Sequence, residues 1–122
     1  MKKKILLVDD SPLSLQLMAD MLGESEFDVT LMSCAVAASE KVASSQFDMI
    51  ITDLNMPDMD GIEFVRRARL NPSCKFTPII MVSSEGSDAK IAEAKQIGIS
   101  TFLSKPVKEA RLKGMIQMTL GG

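Results

Sequence analysis

The stretch that most constrains the fold is Met49-Ile50-Ile51-Thr52-Asp53-Leu54-Asn55-Met56-Pro57-Asp58-Met59-Asp60-Gly61. Its apolar run is too short for a helix and passes at once into a turn punctuated by Pro57 and Gly61. It therefore reads as a buried strand that ends at Asp53. In an open parallel sheet, ligands bind in the crevice beyond the carboxyl ends of the strands. A carboxylate delivered there is a candidate for chemistry, although alone it would pass for a solvated loop acid.

The rest of the chain alternates short apolar runs with helical patterns. Residues 5–8 read as a strand buried on both faces, as parallel strands are. Asp9-Asp10-Ser11-Pro12 opens a helix, with Ser11 as N-cap and Pro12 at the first helical position, where its missing N–H costs nothing. Leu13, Leu17 and Met21 recur every fourth residue as its expected inner face, and Gly23 stops it. Residues 29–32 form a short, weakly apolar strand that suits a sheet edge. A helix is expected over 36–45, and another after the Asp53 strand, where Ile62, Val65 and Ala68 face inward and Arg66, Arg67 and Arg69 outward. Residues 78–82 make a fourth strand with Pro78 at its first position, which a sheet tolerates. The loop Ser83-Ser84-Glu85-Gly86-Ser87, a helix over 88–97, a strand over 101–104 and a last helix over 107–119 follow, with Leu112, Met115 and Ile116 on one face and Gly121-Gly122 at the end. Five strands alternating with five helices predict a doubly wound α/β fold, a parallel sheet covered on both faces.

Composition narrows the function. A chain of 122 residues suits one domain, residues 1–122, with a core large enough to need no disulfide. A formal charge of −2 with no basic stripe leaves no footprint for nucleic acid. Cys34 and Cys74 lack metal-site spacing and fit a reducing compartment. The four apolar residues after Lys2-Lys3-Lys4 are too few for a signal peptide, and no membrane-spanning run exists, so a cytoplasmic protein is expected.

Asp53 has company. Asp9 and Asp10 end the first strand, Ser83 the fourth and Lys105 the fifth, all at the same rim. Three carboxylates converging there would repel by roughly 3 kcal/mol per pair at about 5 Å and an effective dielectric near 20, so the cluster calls for a cation. Oxygen donors in a chain without histidine select a hard ion, with Mg2+ the default. With the Lys105 ammonium and the Ser83 hydroxyl, such a site can hold a phosphoryl group. Asp53 can then act as nucleophile and form an acyl phosphate.

Val8-Asp9-Asp10, the run Asp53-Leu54-Asn55-Met56-Pro57 with Asp60-Gly61, Val82-Ser83-Ser84 and Lys105-Pro106 resemble, in order and along the whole chain, the four signatures of response-regulator receiver domains. Within that family the chain is most similar to stand-alone chemotaxis receivers of the CheY type, and Phe76-Thr77-Pro78-Ile79-Ile80-Met81-Val82 adds to that likeness. The resemblance implies strand order 2-1-3-4-5, shared by flavodoxin and CheY. It implies that Asp53 accepts phosphate from a sensor histidine kinase in a two-component phosphorelay. Asp10, Asp53 and the Asn55 backbone carbonyl would bind Mg2+, with Asp9 assisting through water. Ser83 and Lys105 would hold the phosphoryl oxygens, Phe102 would be the switch aromatic, and Lys105-Pro106 would be a cis peptide. Asn55 and Ser84 would flank the site and set the lifetime of the phosphorylated state.

The protein so implied is a monomeric signalling protein whose only activities are self-phosphorylation and self-dephosphorylation. Its target, such as a flagellar motor switch, would dock on the fourth helix, fifth strand and fifth helix. Val107 departs from the Phe common after the Lys-Pro pair. Two alternatives stay open: a relay receiver that passes phosphate to another histidine, and a Mg2+-dependent phosphatase of the haloacid dehalogenase type. The latter wants a second Asp two residues after the nucleophile, where this chain has Asn55. No glycine-rich loop follows the first strand, which disfavours a nucleotide-binding module.

Overall fold

Five parallel strands, β1 (Lys3–Val8), β2 (Phe27–Met32), β3 (Met49–Asp53), β4 (Ile79–Ser83) and β5 (Thr101–Ser104), lie in the order β2-β1-β3-β4-β5. The structure is a computed structural model that describes residues 2–23, 25–84 and 87–120. Five α-helices connect and follow the strands: α1 (Pro12–Leu22), α2 (Ala35–Ser44), α3 (Gly61–Arg69), α4 (Asp88–Gln96) and α5 (Glu109–Leu120). A turn of 3-10 helix, Pro72–Cys74, precedes β4.

Side chains alternate across each strand, so the continuous apolar runs feed two cores. Leu6, Val8, Ile50, Ile79 and Met81 pack with α2, α3 and Ala94 of α4 on one face. Ile5, Leu7, Met49, Ile51, Ile80, Val82 and Leu103 pack with α1 and α5 on the other. Every residue of β3 and β4 is buried, which fixes their register. β2, at one edge, is only partly buried, in keeping with its weak apolar pattern.

Ser11 caps α1 by accepting the Ser14 N–H at 3.2 Å, Pro12 opens the helix, and Gly23 ends it at φ 74. The expected inner face of α1 is corrected, however. Leu15, Met18 and Leu22 are buried, whereas Leu13 and Leu17 are 69% and 51% exposed and Met21 is half-buried. A strict four-residue spacing drifts around a helix of 3.6 residues per turn, and α1 is apolar on so much of its circumference that pattern alone could not choose the stripe. Arg69 is a second correction: instead of standing in solvent with Arg66 and Arg67, its guanidinium donates to the carbonyls of Cys74, Thr77 and Gly98, each at 2.7 Å. Smaller differences lie at element ends. Pro78 sits just before β4, Ser83 is the last residue of that strand instead of the first of a loop, and α5 begins at Glu109. The expected loop residues Glu85 and Gly86 and the terminal Gly121-Gly122 lie outside the described residues.

Candidate functional site at the carboxyl rim

The strand ends bring Asp9, Asp10, Asp53, Ser83 and Lys105 to one rim. Asp9 follows the last residue of β1 and is fully buried. One of its carboxylate oxygens accepts the Ser11 N–H at 2.9 Å, and the other accepts from the Lys105 ammonium at 2.8 Å. Asp53, 7% exposed, accepts the Leu54 N–H at 2.8 Å through Oδ1 and faces the same ammonium at 3.4 Å through Oδ2. Lys105 is held by its own backbone, whose N–H donates to the Ser83 carbonyl at 3.0 Å, and the Lys105–Pro106 peptide is cis. Ser83 is buried, and its hydroxyl accepts from the Asn55 side-chain amide at 3.2 Å. Asn55 and Ser84 stand exposed at the mouth. Phe102 is half-buried on β5 against the core shared by α2, α3 and α4.

The loop after β3 can turn so sharply because residue 61 is glycine: a Cβ there would collide with the Asp53 carbonyl oxygen. The Gly61 N–H closes the loop's neck on the Leu54 carbonyl at 2.7 Å, and Asp60 then caps α3 by accepting the Glu63 N–H at 2.8 Å. The cap was readable in Asp60-Gly61-Ile62-Glu63, an acid three residues before a glutamate at a helix start. The amide bridge from Asn55 to Ser83 had no such signature, since it joins residues 28 apart in the chain.

Among the described residues the rim is short of positive charge. Burial raises the Asp53 carboxyl above its ordinary value, the neighbouring Asp9 raises it further, and Lys105 only partly opposes both. Burial by itself would pull the Lys105 ammonium down, but its hydrogen bond to Asp9 and the charges of Asp53 and Asp9 outweigh that and leave it raised. Asp9, Asp10 and Asp53 each present a carboxylate oxygen, all within 4.8 Å of one another. Oxygen donors at this separation, two of them on buried residues, suit a small hard divalent cation such as Mg2+. Beside them a hollow of about 430 Å³ opens between α1 and the segment after β5, reaching from Leu17 and Met21 to Ser84, Lys105 and Val107.

Residues 5–117 match the response regulator receiver domain. Chemotaxis protein CheY1 of Helicobacter pylori is 33% identical over 120 residues, covering 97% of this chain and 97% of its own. The chemotaxis protein CheY4 of Vibrio cholerae superimposes with a TM-score of 0.91 at 36% identity, covering 97% of this chain and 98% of that one. The receiver domain of sensor histidine kinase PA1611 from Pseudomonas aeruginosa, whose structure has a magnesium ion coordinated in the active-site cleft, superimposes at 0.90 with 27% identity over the full length of both. A five-stranded sheet in this order, with acids at the ends of β1 and β3 and a lysine after β5, defines a receiver fold. The chain belongs to the response regulator receiver family of two-component systems and is CheY-like. Receiver domains are signalling proteins and not conventional enzymes. Among the described residues no helix is long and apolar enough to cross a membrane.

Proposed function

We propose that this chain is a stand-alone response regulator, of chemotaxis type, that takes a phosphoryl group from a phosphohistidine of a sensor kinase onto Asp53. The observation that carries the reading is the sharing of one ammonium, Lys105, between Asp9 at 2.8 Å and Asp53 at 3.4 Å. Two buried carboxylates and the adjacent Asp10 exceed that single cation, so the rim has affinity for more positive charge and, once that is supplied, for a phosphoryl group. Mg2+, held by Asp10, Asp53 and the Asn55 carbonyl with Asp9 assisting through water, would neutralise charge on the phosphoryl oxygens.

The chain's own groups do the rest. The Leu54 N–H fixes the rotation of the Asp53 carboxylate, so that one oxygen is presented to the incoming phosphorus. The O–P bond forms as the N–P bond to the donor imidazole breaks, and the imidazole nitrogen leaves with the electron pair. Lys105, already in the site, shifts its ammonium to the phosphoryl oxygens, and the Ser83 hydroxyl donates to another. The mostly apolar hollow beside Lys105 gives the donor protein a surface to rest on while its histidine reaches the rim. Movement of Ser83 toward the phosphoryl group frees space into which the half-buried Phe102 turns, and the face of α4, β5 and α5 reports the change to a target. Asn55 and Ser84 are too small to block in-line water, so the phosphoryl half-life is on the order of seconds to minutes.

Beryllofluoride, which mimics the phosphoryl group, tests the reading. The bound fluorine-19 NMR signal is expected in wild type only with Mg2+, to be absent in Asp53→Asn, and to be accompanied by shifts of the Phe102 ring and α5. A bound signal in Asp53→Asn would refute Asp53 as acceptor. Unmoved Phe102 signals would refute the switch. A phosphoryl half-life of many hours would favour the relay alternative.

A further inference from the structure

The loop that follows the acceptor strand is tied at its tip to a helix that plays no part in the chemistry. Asp58, three residues beyond Asn55, places Oδ2 where it accepts both the Cys34 S–H at 3.0 Å and the Val36 N–H at 2.9 Å. Cys34 is the N-cap of α2 and makes no side-chain capping bond within its own helix, so the orphan N–H of Val36 is satisfied from the β3–α3 loop instead. The contact polarises the carboxyl: the Cys34 hydrogen bond first, then the Val36 N–H, lower Asp58 to about 2 although it is exposed. At its neck the same loop is closed by the Gly61 N–H on the Leu54 carbonyl, and between neck and tip Met56 is buried. Residues 55–58 are thus held at both ends.

We propose that Asp58 is a positioning residue for the acceptor site: its tie to the first turn of α2 holds the loop so that the Asn55 carbonyl faces the Mg2+ position, and Mg2+ affinity depends on it although it touches neither ion nor phosphoryl group. The inference rests on the phosphoacceptor reading. A carbonyl ligand has no charge to draw it into place, so its contribution to binding depends on how rigidly its loop is held; residues that orient ligands commonly affect affinity about tenfold or more. Here the tie is exposed and the buried Met56 anchors the loop as well, so a smaller loss is expected.

Titration of Mg2+ alone, followed by the amide NMR signals of Leu54 and Asn55, tests this in four proteins. Asp58→Ala is expected to weaken Mg2+ binding about three- to tenfold and to raise hydrogen exchange at the Val36 amide. Asp58→Asn keeps an oxygen that accepts both donors while removing the same charge, and Cys34→Ser keeps a donor; both are expected to stay within about twofold of wild type. Equal loss in Asp58→Ala and Asp58→Asn would show that only charge near the cation matters, and would overturn the proposal. So would an Asp58→Ala protein that binds Mg2+ as wild type does. Failure of wild type itself to respond to Mg2+ would instead strike at the phosphoacceptor reading.

Discussion

Two half-buried cations, Lys105 and Arg69, sit at opposite ends of the same sheet and are treated differently. Arg69, at the end of α3, meets three neutral carbonyls from segments that lead into β4 and β5, each at 2.7 Å. Its planar donors are matched by acceptors that carry no charge to repel one another. Lys105 meets two carboxylates, with a third nearby, and one ammonium cannot balance them. The first arrangement is complete and holds the loops together. The second is incomplete, and its shortfall of positive charge is the basis of the ion affinity proposed for it. On the proposed function, stability and function are written at different ends of the strands, and substitutions should separate them.

The largest effect on stability is expected at the satisfied end. Arg69→Ala removes three charge-assisted hydrogen bonds and should lower unfolding free energy by about 3 kcal/mol, while Mg2+ binding stays within twofold of wild type; urea denaturation and a Mg2+ titration read the two. A marked loss of Mg2+ affinity would break the separation. Lys105→Ala should cost about 2 kcal/mol at neutral pH, because it leaves Asp9 and Asp53 without their cation, and the loss should shrink when Mg2+ is added.

Asp53→Asn should act the other way and stabilise the metal-free protein by about 1 kcal/mol. The sign follows from linkage: the folded carboxyl is raised above its unfolded value of 3.8, so the folded state binds its proton first. Wild-type stability therefore gains, relative to the variant, as pH falls through the raised value toward 3.8, and the gap should close over that window in paired denaturation curves. A gap that widened on acidification would contradict the assignment. Asp10→Ala, at an exposed position, should move stability by less than about 0.5 kcal/mol yet abolish Mg2+ binding.

The same contrast explains what could be read in the chain before its structure. The strands buried on both faces carry charged residues only where they end, so Asp9, Asp53 and Lys105, with Ser83 beside them, announced both the sheet and its rim. α1 hid its inward stripe because Leu13 and Leu17 are as apolar as Leu15 and Met18, and only packing distinguishes them. Arg69 looked like any surface arginine, since a side chain that serves backbone carbonyls has no partner side chain to leave a pattern. Asp58 was hidden for a related reason: half of its tie is to the backbone N–H of Val36, and Cys34 lies 24 residues away.

The most direct test is covalent. Wild type and Asp53→Asn are incubated with acetyl phosphate and Mg2+, with and without chelator, and intact masses are recorded. The account predicts one alkali-labile, phosphate-sized adduct on wild type, mapped to Asp53, abolished by the chelator and absent from Asp53→Asn. The same adduct on Asp53→Asn, or its undiminished formation in the presence of chelator, would contradict it.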